Sequence, residues 1–178
     1  MTLTPNISHV LSLIKLNIVT DYNENLTKYK DTWNKIMSPT RAAGLVIYKY
    51  SNDLIQFLLL QTSYGIHHWT PPKGHVDPGE SDWETALRET KEEAGYCQKD
   101  LEIDESSKKT LFYNVNGKPK EVIYWLAKLK NPDTPVILSD EHQDFKWLPL
   151  HQAQELSGYE DMKKLLAEYY ETVNNVKH

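Results

Sequence analysis

Three glutamates near the middle of the chain have the residue type and the spacing of a site for a hard divalent cation. Glu89, Glu92 and Glu93 follow a glycine-bounded loop that begins at Gly74. Carboxylate oxygens are the ligands that Mg²⁺ and Mn²⁺ prefer, and Mg²⁺ keeps several waters while it binds substrate phosphates. The pattern favours a metal-dependent site that cleaves pyrophosphate bonds. The alternative is a solvated acidic helix face.

The element that carries these glutamates is predicted to be a helix from about Asp82 to Ala94. Ser81 and Glu84 form a capping box at its start, and Gly95 is a natural stop. At about 100° per residue the glutamates share one arc of the helix. A second arc carries the residues expected to pack, which are Trp83, Ala86, Leu87, Thr90 and Ala94.

The same segment resembles the signature of the Nudix hydrolases, GX5EX7REUXEEXGU, where U is a bulky apolar residue. The fixed positions are matched by Gly74, Glu80, Arg88, Glu89, Glu92, Glu93 and Gly95. The first U is Thr90, a departure that touches no ligand. Agreement at this many spaced positions is far more specific than a lone short motif. From about Arg41 to Tyr170 the chain resembles one subfamily, the animal-type asymmetrical diadenosine tetraphosphate hydrolases.

The resemblance implies an α/β fold, the Nudix α/β/α sandwich with a central mixed β-sheet, and the predicted elements agree with it. We expect a strand hairpin over residues 43–61, a second around Asn116-Gly117 with strands at Thr110–Val115 and Glu121–Leu129, a last strand near Phe145–Leu148, and a helix from Tyr159 to Val173. Residues 39–178 are predicted to form the hydrolase domain. Residues 1–38 are predicted to be an N-terminal extension, partly helical or disordered.

The resemblance also implies a metal site. In the family, Mg²⁺ is held by the signature glutamates and the carbonyl of the opening glycine, here Glu89, Glu92, Glu93 and Gly74. Mn²⁺ can substitute. The proton of the attacking water is taken by one of these glutamates or by a metal-bound hydroxide, and the sequence does not rank Glu89 against Glu93.

Three further charged residues are assigned to the surroundings of the metal by the same resemblance. Glu141 is the loop glutamate that Nudix enzymes commonly bring to the metals, with Asp140 or a solvated loop charge as the alternatives. Glu80 and Arg88 are expected to brace the loop against the helix behind the ligands. A plain surface salt bridge is the alternative for this pair.

Polyphosphate and adenine contacts are implied as well. His68 and Lys73 precede the signature and are expected to contact the phosphates as part of the catalytic set, and Lys118 and Lys120 look like lysines that reach them from a hairpin tip. The residues expected to stack on adenine are Tyr113 and Tyr159, with Tyr64 and Tyr124 as weaker candidates. Core packing is the alternative for each tyrosine.

Composition excludes several classes of protein. A chain of 178 residues with 39% hydrophobic residues can form one compact domain, and its single cysteine, Cys97, rules out an internal disulfide and a cysteine-based zinc cluster. We expect Cys97 to be a small core residue. A reducing compartment fits, the cytoplasm or also the nucleus. No apolar run reaches the roughly 20 residues of a membrane helix.

The net charge of −5 disfavours a stable nucleic-acid partner or an anionic membrane. We expect a monomer whose partner is a small dinucleoside polyphosphate. The hypothesis is asymmetrical cleavage of diadenosine tetraphosphate to ATP and AMP by metal-activated water. The alternatives are a Nudix pyrophosphohydrolase acting on RNA 5′ ends or diphosphoinositol polyphosphates, and a non-catalytic nucleotide-sensing Nudix module.

Overall fold

The structure is a computed structural model that describes residues 39–115 and 117–176, and Ser12, Thr27 and Lys28 before them. These three residues are helical, and the rest of the prediction for residues 1–38 lies outside the described residues. The chain divides into two units, Met1–Ser38 and Pro39–His178. All the elements that follow belong to the second unit.

Seven strands form one mixed sheet. They are β1 (Thr40–Ser51), β2 (Leu54–Thr62), β3 (Trp69–Thr70), β4 (Lys73–His75), β5 (Leu101–Val115), β6 (Lys118–Leu129) and β7 (His142–Pro149). The order is β3-β2-β1-β6-β5, with β4 paired to β1 and β7 paired to β2. Strands β1 and β6 are parallel, whereas β1 pairs with β2 and with β4 in antiparallel fashion. The central strand β1 therefore connects the sheet to β4.

Helices cover both faces of this sheet. They are α1 (Asp82–Ala94), α2 (Leu150–Ser157) and α3 (Glu160–Val176), with a short 3-10 helix at Gln98–Asp100. Ala86 and Ala94 of α1 pack in a cluster with Leu45 on one face. Ala153 of α2 and Leu166 of α3 pack in a second cluster on the other face. The predicted α/β/α sandwich with a central mixed sheet is confirmed.

Helix α1 has the bounds that the sequence predicts. The Ser81 hydroxyl accepts a hydrogen bond from the Glu84 amide at 3.2 Å, and the Glu84 carboxylate accepts one from the Ser81 amide at 2.8 Å. Gly95 ends the helix in the left-handed region with φ of 79°, where glycine avoids the strain of a side chain. These local contacts involve neighbouring residues only, which is why sequence can predict them.

Three expectations differ from the structure. Strand β5 begins at Leu101 and not at Thr110, because it lies at the sheet edge, where a strand can carry polar, exposed residues. Helix α2 was not predicted, since it follows Pro149 without a side-chain cap. Cys97 is only partly buried, so it is not a core residue.

Candidate active site

The site begins where the backbone of β4 meets helix α1. Gly74 of β4 pairs with Ala43 of β1, and a Cβ built on Gly74 would overlap the Glu89 carboxyl group. A Cβ on Gly44 would likewise overlap the Pro72 carbonyl oxygen and Lys73. Glycine at both positions lets the sheet, the β4 backbone and the helix approach closely. The Glu89 carboxylate consequently lies directly against the Gly74 backbone.

Arg88 is the hydrogen-bonding centre of the helix surface. Its Nε and Nη2 donate to the two carboxylate oxygens of Glu80 at 2.8 and 2.9 Å, the bidentate geometry that a guanidinium favours. Its Nη1 donates to Glu89 at 2.8 Å and to Glu92 at 3.1 Å, and its Nη2 donates to the His75 carbonyl oxygen at 3.0 Å. Arg88 thus ties the loop and the β4 backbone to two glutamates of the helix.

Glu80 is fully satisfied as an anion. Besides Arg88, its carboxylate accepts a hydrogen bond from the Thr85 hydroxyl at 2.8 Å. The Arg88 hydrogen bonds, followed by that of Thr85, lower the pKa of Glu80 to about 2. The pairing of Glu80 and Arg88 that the sequence suggests is present in the structure, and Arg88 makes more contacts than expected.

Glu93 occupies a different environment on the same helix. Its side chain is 7% exposed, and its Oε2 accepts a hydrogen bond from the Lys73 amide at 2.8 Å. Burial raises the pKa of Glu93 to about 7, and the charges of Glu89 and Glu141 add to this increase while Lys73 opposes it. Burial likewise raises the pKa of Glu89, and Glu92 and Glu141 add to it against the opposing Arg88 hydrogen bond.

Glu89, Glu93 and Glu141 therefore act on one another electrostatically, and we call them the carboxylate cluster. Glu141 is an exposed residue whose carbonyl oxygen accepts a hydrogen bond from the Ser63 amide at 2.8 Å. Glu92 also raises the pKa of Glu89, but its side chain is 57% exposed and contacts Arg88, so it lies at the edge of the cluster. The structure thus groups three of the four predicted ligand glutamates around a partly buried site.

Positive charge adjoins the carboxylate cluster. Burial, followed by the charge of Lys73, lowers the pKa of Lys120, and both lysines lower the pKa of His68 after burial. His68 Nδ1 lies 3.4 Å from the Thr62 hydroxyl. These effects place His68, Lys73 and Lys120 near one another, and we call them the cation cluster. An anionic ligand would relieve the mutual repulsion of its lysines.

His142 is a residue whose position the sequence did not reveal. Its side chain is 2% exposed, and its Nε2 lies 3.8 Å from Glu93 Oε1. Burial, Lys73 and His68 together lower the pKa of His142 to about 4, so the ring is neutral at pH 7. Its contact with Glu93 spans β7 and α1, and no local sequence pattern predicts such a pair.

A cavity of about 440 Å³ lies beside the site. Its lining residues include Trp69, Thr70, Leu111, Tyr113, Tyr124 and Tyr159. Burial, followed by the neighbouring Tyr159, raises the pKa of Tyr113 to about 12. The structure thus brings together the two tyrosines that the resemblance assigns to adenine. Trp69 was not predicted, and its place in an aromatic loop is the only sequence feature that could have suggested it.

The remaining predicted residues are placed differently. Tyr124 is 1% exposed and belongs to the hydrophobic core, so it borders the cavity and has no free ring face for stacking. Tyr64 is 54% exposed and is not among the cavity-lining residues, and its pKa is raised by burial and then by Glu141, Glu93 and Glu89. The charges that act on the Tyr64 hydroxyl are therefore those of the carboxylate cluster and not of the cavity. Lys118 is exposed at the start of β6.

The carboxylate cluster fits a divalent cation by its chemistry. Within the described part of the chain, no group of three or more His, Cys, Asp or Glu side chains forms a preassembled metal site. Mg²⁺ needs no such cage, because it keeps several waters and takes one or two carboxylates. The donors are oxygen atoms only, and burial, followed by repulsion from neighbouring carboxylates, raises the pKa values of Glu89 and Glu93. A hard cation would stabilise the charged forms of both groups.

Comparisons with known proteins agree with this geometry. The family model for the NUDIX domain matches residues 38–169. A bis(5′-nucleosyl)-tetraphosphatase [asymmetrical] of Caenorhabditis elegans is 57% identical over 129 residues, which cover 72% of this chain and 93% of that protein. The Sus scrofa protein of the same name is 55% identical over 134 residues, which cover 72% and 91%.

A solved structure gives the same result. The crystal structure of a C. elegans Ap4A hydrolase binary complex superposes with a TM-score of 0.74 at 54% sequence identity. The superposition covers 76% of this chain and 98% of that one. The fold and a large part of the sequence are therefore shared together.

Proposed function

The chain belongs to the NUDIX family, and we propose that it is an asymmetrical hydrolase of dinucleoside tetraphosphates. Diadenosine tetraphosphate and water give ATP and AMP. The observation that carries the substrate is the identity of 55–57% to relatives named bis(5′-nucleosyl)-tetraphosphatase [asymmetrical], which extends over 91–93% of their length. The charge and shape of the site support the same conclusion.

The aromatic cavity is suited to one base of the substrate. Tyr113 and Tyr159 provide π faces at its walls, and a base stacked on an aromatic side chain gains about 1–3 kcal/mol. Tyr124 borders this cavity, and Glu93 contributes to the raised pKa of Tyr124 after burial and Tyr113. This electrostatic effect supports a single nucleotide that reaches from the cavity to the carboxylate cluster.

The cation cluster is suited to the polyphosphate chain. Lys73 and Lys120 supply point charges, and the neutral ring of His68 can donate one hydrogen bond. Lys118 at the hairpin tip can reach a distal phosphate. Since the protein carries a net charge of −5, these local cations must attract the anionic substrate.

The carboxylate cluster is suited to divalent metal, which Nudix hydrolases generally use. We assign Mg²⁺, for which Mn²⁺ can substitute, to Glu89, Glu92, Glu93, Glu141 and the carbonyl oxygen of Gly74. When bound, the metal neutralises phosphate charge and lowers the pKa of a coordinated water. Arg88 and Glu80 hold Glu89 in place from behind.

Glu93 is suited to take the proton of the attacking water. In the free site, burial raises the pKa of Glu93 above that of an ordinary carboxyl group, which favours its accepting a proton. Its Oε2 already accepts the Lys73 amide hydrogen, and Oε1 has two lone pairs, so Oε1 can take that proton while it also accepts a hydrogen bond. Glu89 is less suited, because Arg88 donates directly to its carboxylate.

The alternatives are not favoured. Inositol pyrophosphates carry many negative charges, so a site that binds them is expected to be highly basic. This site adjoins an aromatic cavity, and the protein has a net negative charge. A triphosphorylated RNA 5′ end carries its phosphate chain on one nucleoside, whereas the name of the relatives denotes a substrate with two. A nucleotide-sensing module could lose its ligand glutamates, and each of them is present in this chain.

Product analysis tests the proposal. Purified full-length protein is incubated with diadenosine tetraphosphate and Mg²⁺ in water enriched in heavy oxygen, and the products are separated and weighed. We expect equal amounts of ATP and AMP, with the heavy oxygen in one of them. ADP as the sole product would overturn the cleavage position, and binding without turnover would favour a sensor. Diphosphoinositol polyphosphates and triphosphorylated RNA, assayed in parallel, should be poor substrates.

We also infer that the protein acts as a monomer in a reducing compartment, the cytoplasm or also the nucleus. The lone cysteine needs no oxidising compartment. None of the helices in the described residues is long and apolar enough to cross a membrane. Light scattering after size exclusion should give a mass near 20.7 kDa, and twice that mass would contradict the monomer.

A further inference from the structure

His142 lies at the start of β7, directly after the proposed metal ligand Glu141. Its ring is buried beside Glu93, with Nε2 at 3.8 Å from Oε1. On the other side of the ring, Nδ1 lies 3.4 Å from the Ser139 hydroxyl, and the His142 amide donates to the Ser139 carbonyl oxygen at 3.1 Å. A turn therefore fixes the ring between Ser139 and Glu93.

This arrangement selects one tautomer of the imidazole. The ionised carboxylate of Glu93 only accepts, so in that form the nitrogen that faces it is favoured when it carries the hydrogen. Nδ1 is then the acceptor for the Ser139 hydroxyl. The Ser139 hydroxyl can donate or accept, so it accommodates this tautomer and holds the ring in place, while the carboxylate favours the N–H at Nε2.

A donor at the second oxygen would complete the hydrogen bonding of Glu93, whose side chain is 7% exposed. Oε2 has the Lys73 amide at 2.8 Å, whereas Oε1 has no hydrogen bond among the described residues. Catalytic hydrogen bonds are often long in ligand-free structures and shorten when the site is filled. The 3.8 Å separation is within reach of such a shift.

We propose that His142 is a positioning residue for the reaction: its Nε2–H, held by Ser139, orients Oε1 of Glu93. The two partners fix both oxygens of the carboxylate, one from β4 and one from β7. His142 also pairs with Thr62 of β2, so the Glu141 loop and the Glu93 carboxylate are set by one buried residue. The inference rests on the proposed function.

The test compares two substitutions at this position in the full-length protein. His142→Leu fills similar space without a donor, while His142→Gln provides an amide N–H that can reach the position of Nε2. We expect His142→Leu to lower kcat for diadenosine tetraphosphate by about 10–100-fold with KM changed less than about threefold, and His142→Gln to restore most of the rate. Ser139→Ala should lower kcat by a smaller factor.

A binding measurement separates positioning from a purely structural role. The affinity of the free protein for Mn²⁺, measured by electron paramagnetic resonance, should fall in His142→Leu and recover in His142→Gln, while both variants keep the wild-type melting temperature. If His142→Leu fails to fold, His142→Gln and Ser139→Ala decide. Wild-type kcat in His142→Leu, or equal losses in folded Leu and Gln variants, would overturn the inference. Neither result would change the ATP and AMP products, on which the proposed function depends.

Discussion

Two glutamate side chains, one just before helix α1 and one within it, have opposite electrostatic environments. Glu80 accepts hydrogen bonds from Nε and Nη2 of Arg88 and from the Thr85 hydroxyl, and these bonds lower its pKa to about 2. Glu93 is buried near Glu89 and Glu141 with the Lys73 amide as its hydrogen-bond donor, and its pKa rises to about 7. The first environment favours the charged form, and the second disfavours it.

The contrast separates the residues that stabilise the fold from those that are available for chemistry. A carboxylate whose partners are all within the protein has little capacity for a further ligand. A buried carboxylate with few partners in the protein lowers the stability of the free protein, and metal and substrate can supply the missing partners. Perturbed groups of this kind cluster at functional sites, and Glu93 is the clearest example in this chain.

The largest expected effect is the loss of activity when the Glu93 carboxylate is replaced. Glu93→Gln keeps the shape and the acceptor for the Lys73 amide but removes the base, so kcat for diadenosine tetraphosphate should fall about 10²–10⁴-fold. Steady-state assays with Mg²⁺ measure this. Glu84→Gln, which removes a carboxylate from the capping box of the same helix, is the matched control and should leave kcat within about twofold. Comparable rates in wild type and Glu93→Gln would remove Glu93 from the mechanism.

The second effect is the decrease in the free energy of unfolding that the buried Glu93 carboxylate causes. Its pKa is raised in the folded state, so stability falls as pH rises from about 4.5 to about 7 and the loss persists above that range. In the presence of a chelator, Glu93→Gln should therefore be more stable than wild type at pH 8 by about 1–3 kcal/mol, and should show no gain below pH 4.5. Urea unfolding at a series of pH values tests it. A variant that is less stable at pH 8 would show that the buried charge is compensated.

Glu80 should give the opposite pH dependence. Its pKa is lowered in the folded state, so its contribution is present above about pH 4.5 and is lost as pH falls toward 2. Glu80→Gln should melt at a lower temperature than wild type at pH 7, and the difference should disappear near pH 2. Thermal melts across this range measure it. A constant difference at all pH values would mean that the hydrogen-bond geometry, and not the charge, matters.

The smallest effect is expected at Thr90, a buried polar residue to which no function is assigned. Its Oγ1 is buried and has no hydrogen-bond partner among the described residues, and the Nudix pattern has an apolar residue at this position. Thr90→Val should raise the free energy of unfolding by about 0.5–1 kcal/mol and leave kcat unchanged. Chemical unfolding and the Mg²⁺ assay check both. Loss of stability would reveal an unrecognised partner for the hydroxyl.

The parts that sequence predicted are those set by neighbouring residues or by a spaced signature. Helix α1 follows from Ser81, Glu84 and Gly95, and its bounds were predicted to the residue. The shared helix face of Glu89, Glu92 and Glu93 follows from helical periodicity, whereas Glu141 came from the resemblance. The pairing of Glu80 with Arg88 came from the signature, because both positions belong to it.

The parts that sequence missed depend on contacts between distant elements. Nothing near Glu93 indicates that its side chain is buried, since burial is produced by the Lys73 backbone and by His142 of β7. Strand β5 was predicted too short because edge strands lack apolar alternation, and its register shifts between Asp104 and Lys109. The roles assigned to the individual site residues stay predictions.

Thermal unfolding with and without a divalent cation tests the central claim that the carboxylate cluster binds metal. Wild type and Glu93→Gln are melted in chelator and then in saturating Mg²⁺ or Mn²⁺. A ligand that binds only the folded state stabilises it by about 2.7 kcal/mol at one hundred times its Kd. We predict a clear rise in the melting temperature of wild type and little or none in Glu93→Gln. Equal stabilisation of both proteins, or none of either, would contradict the account.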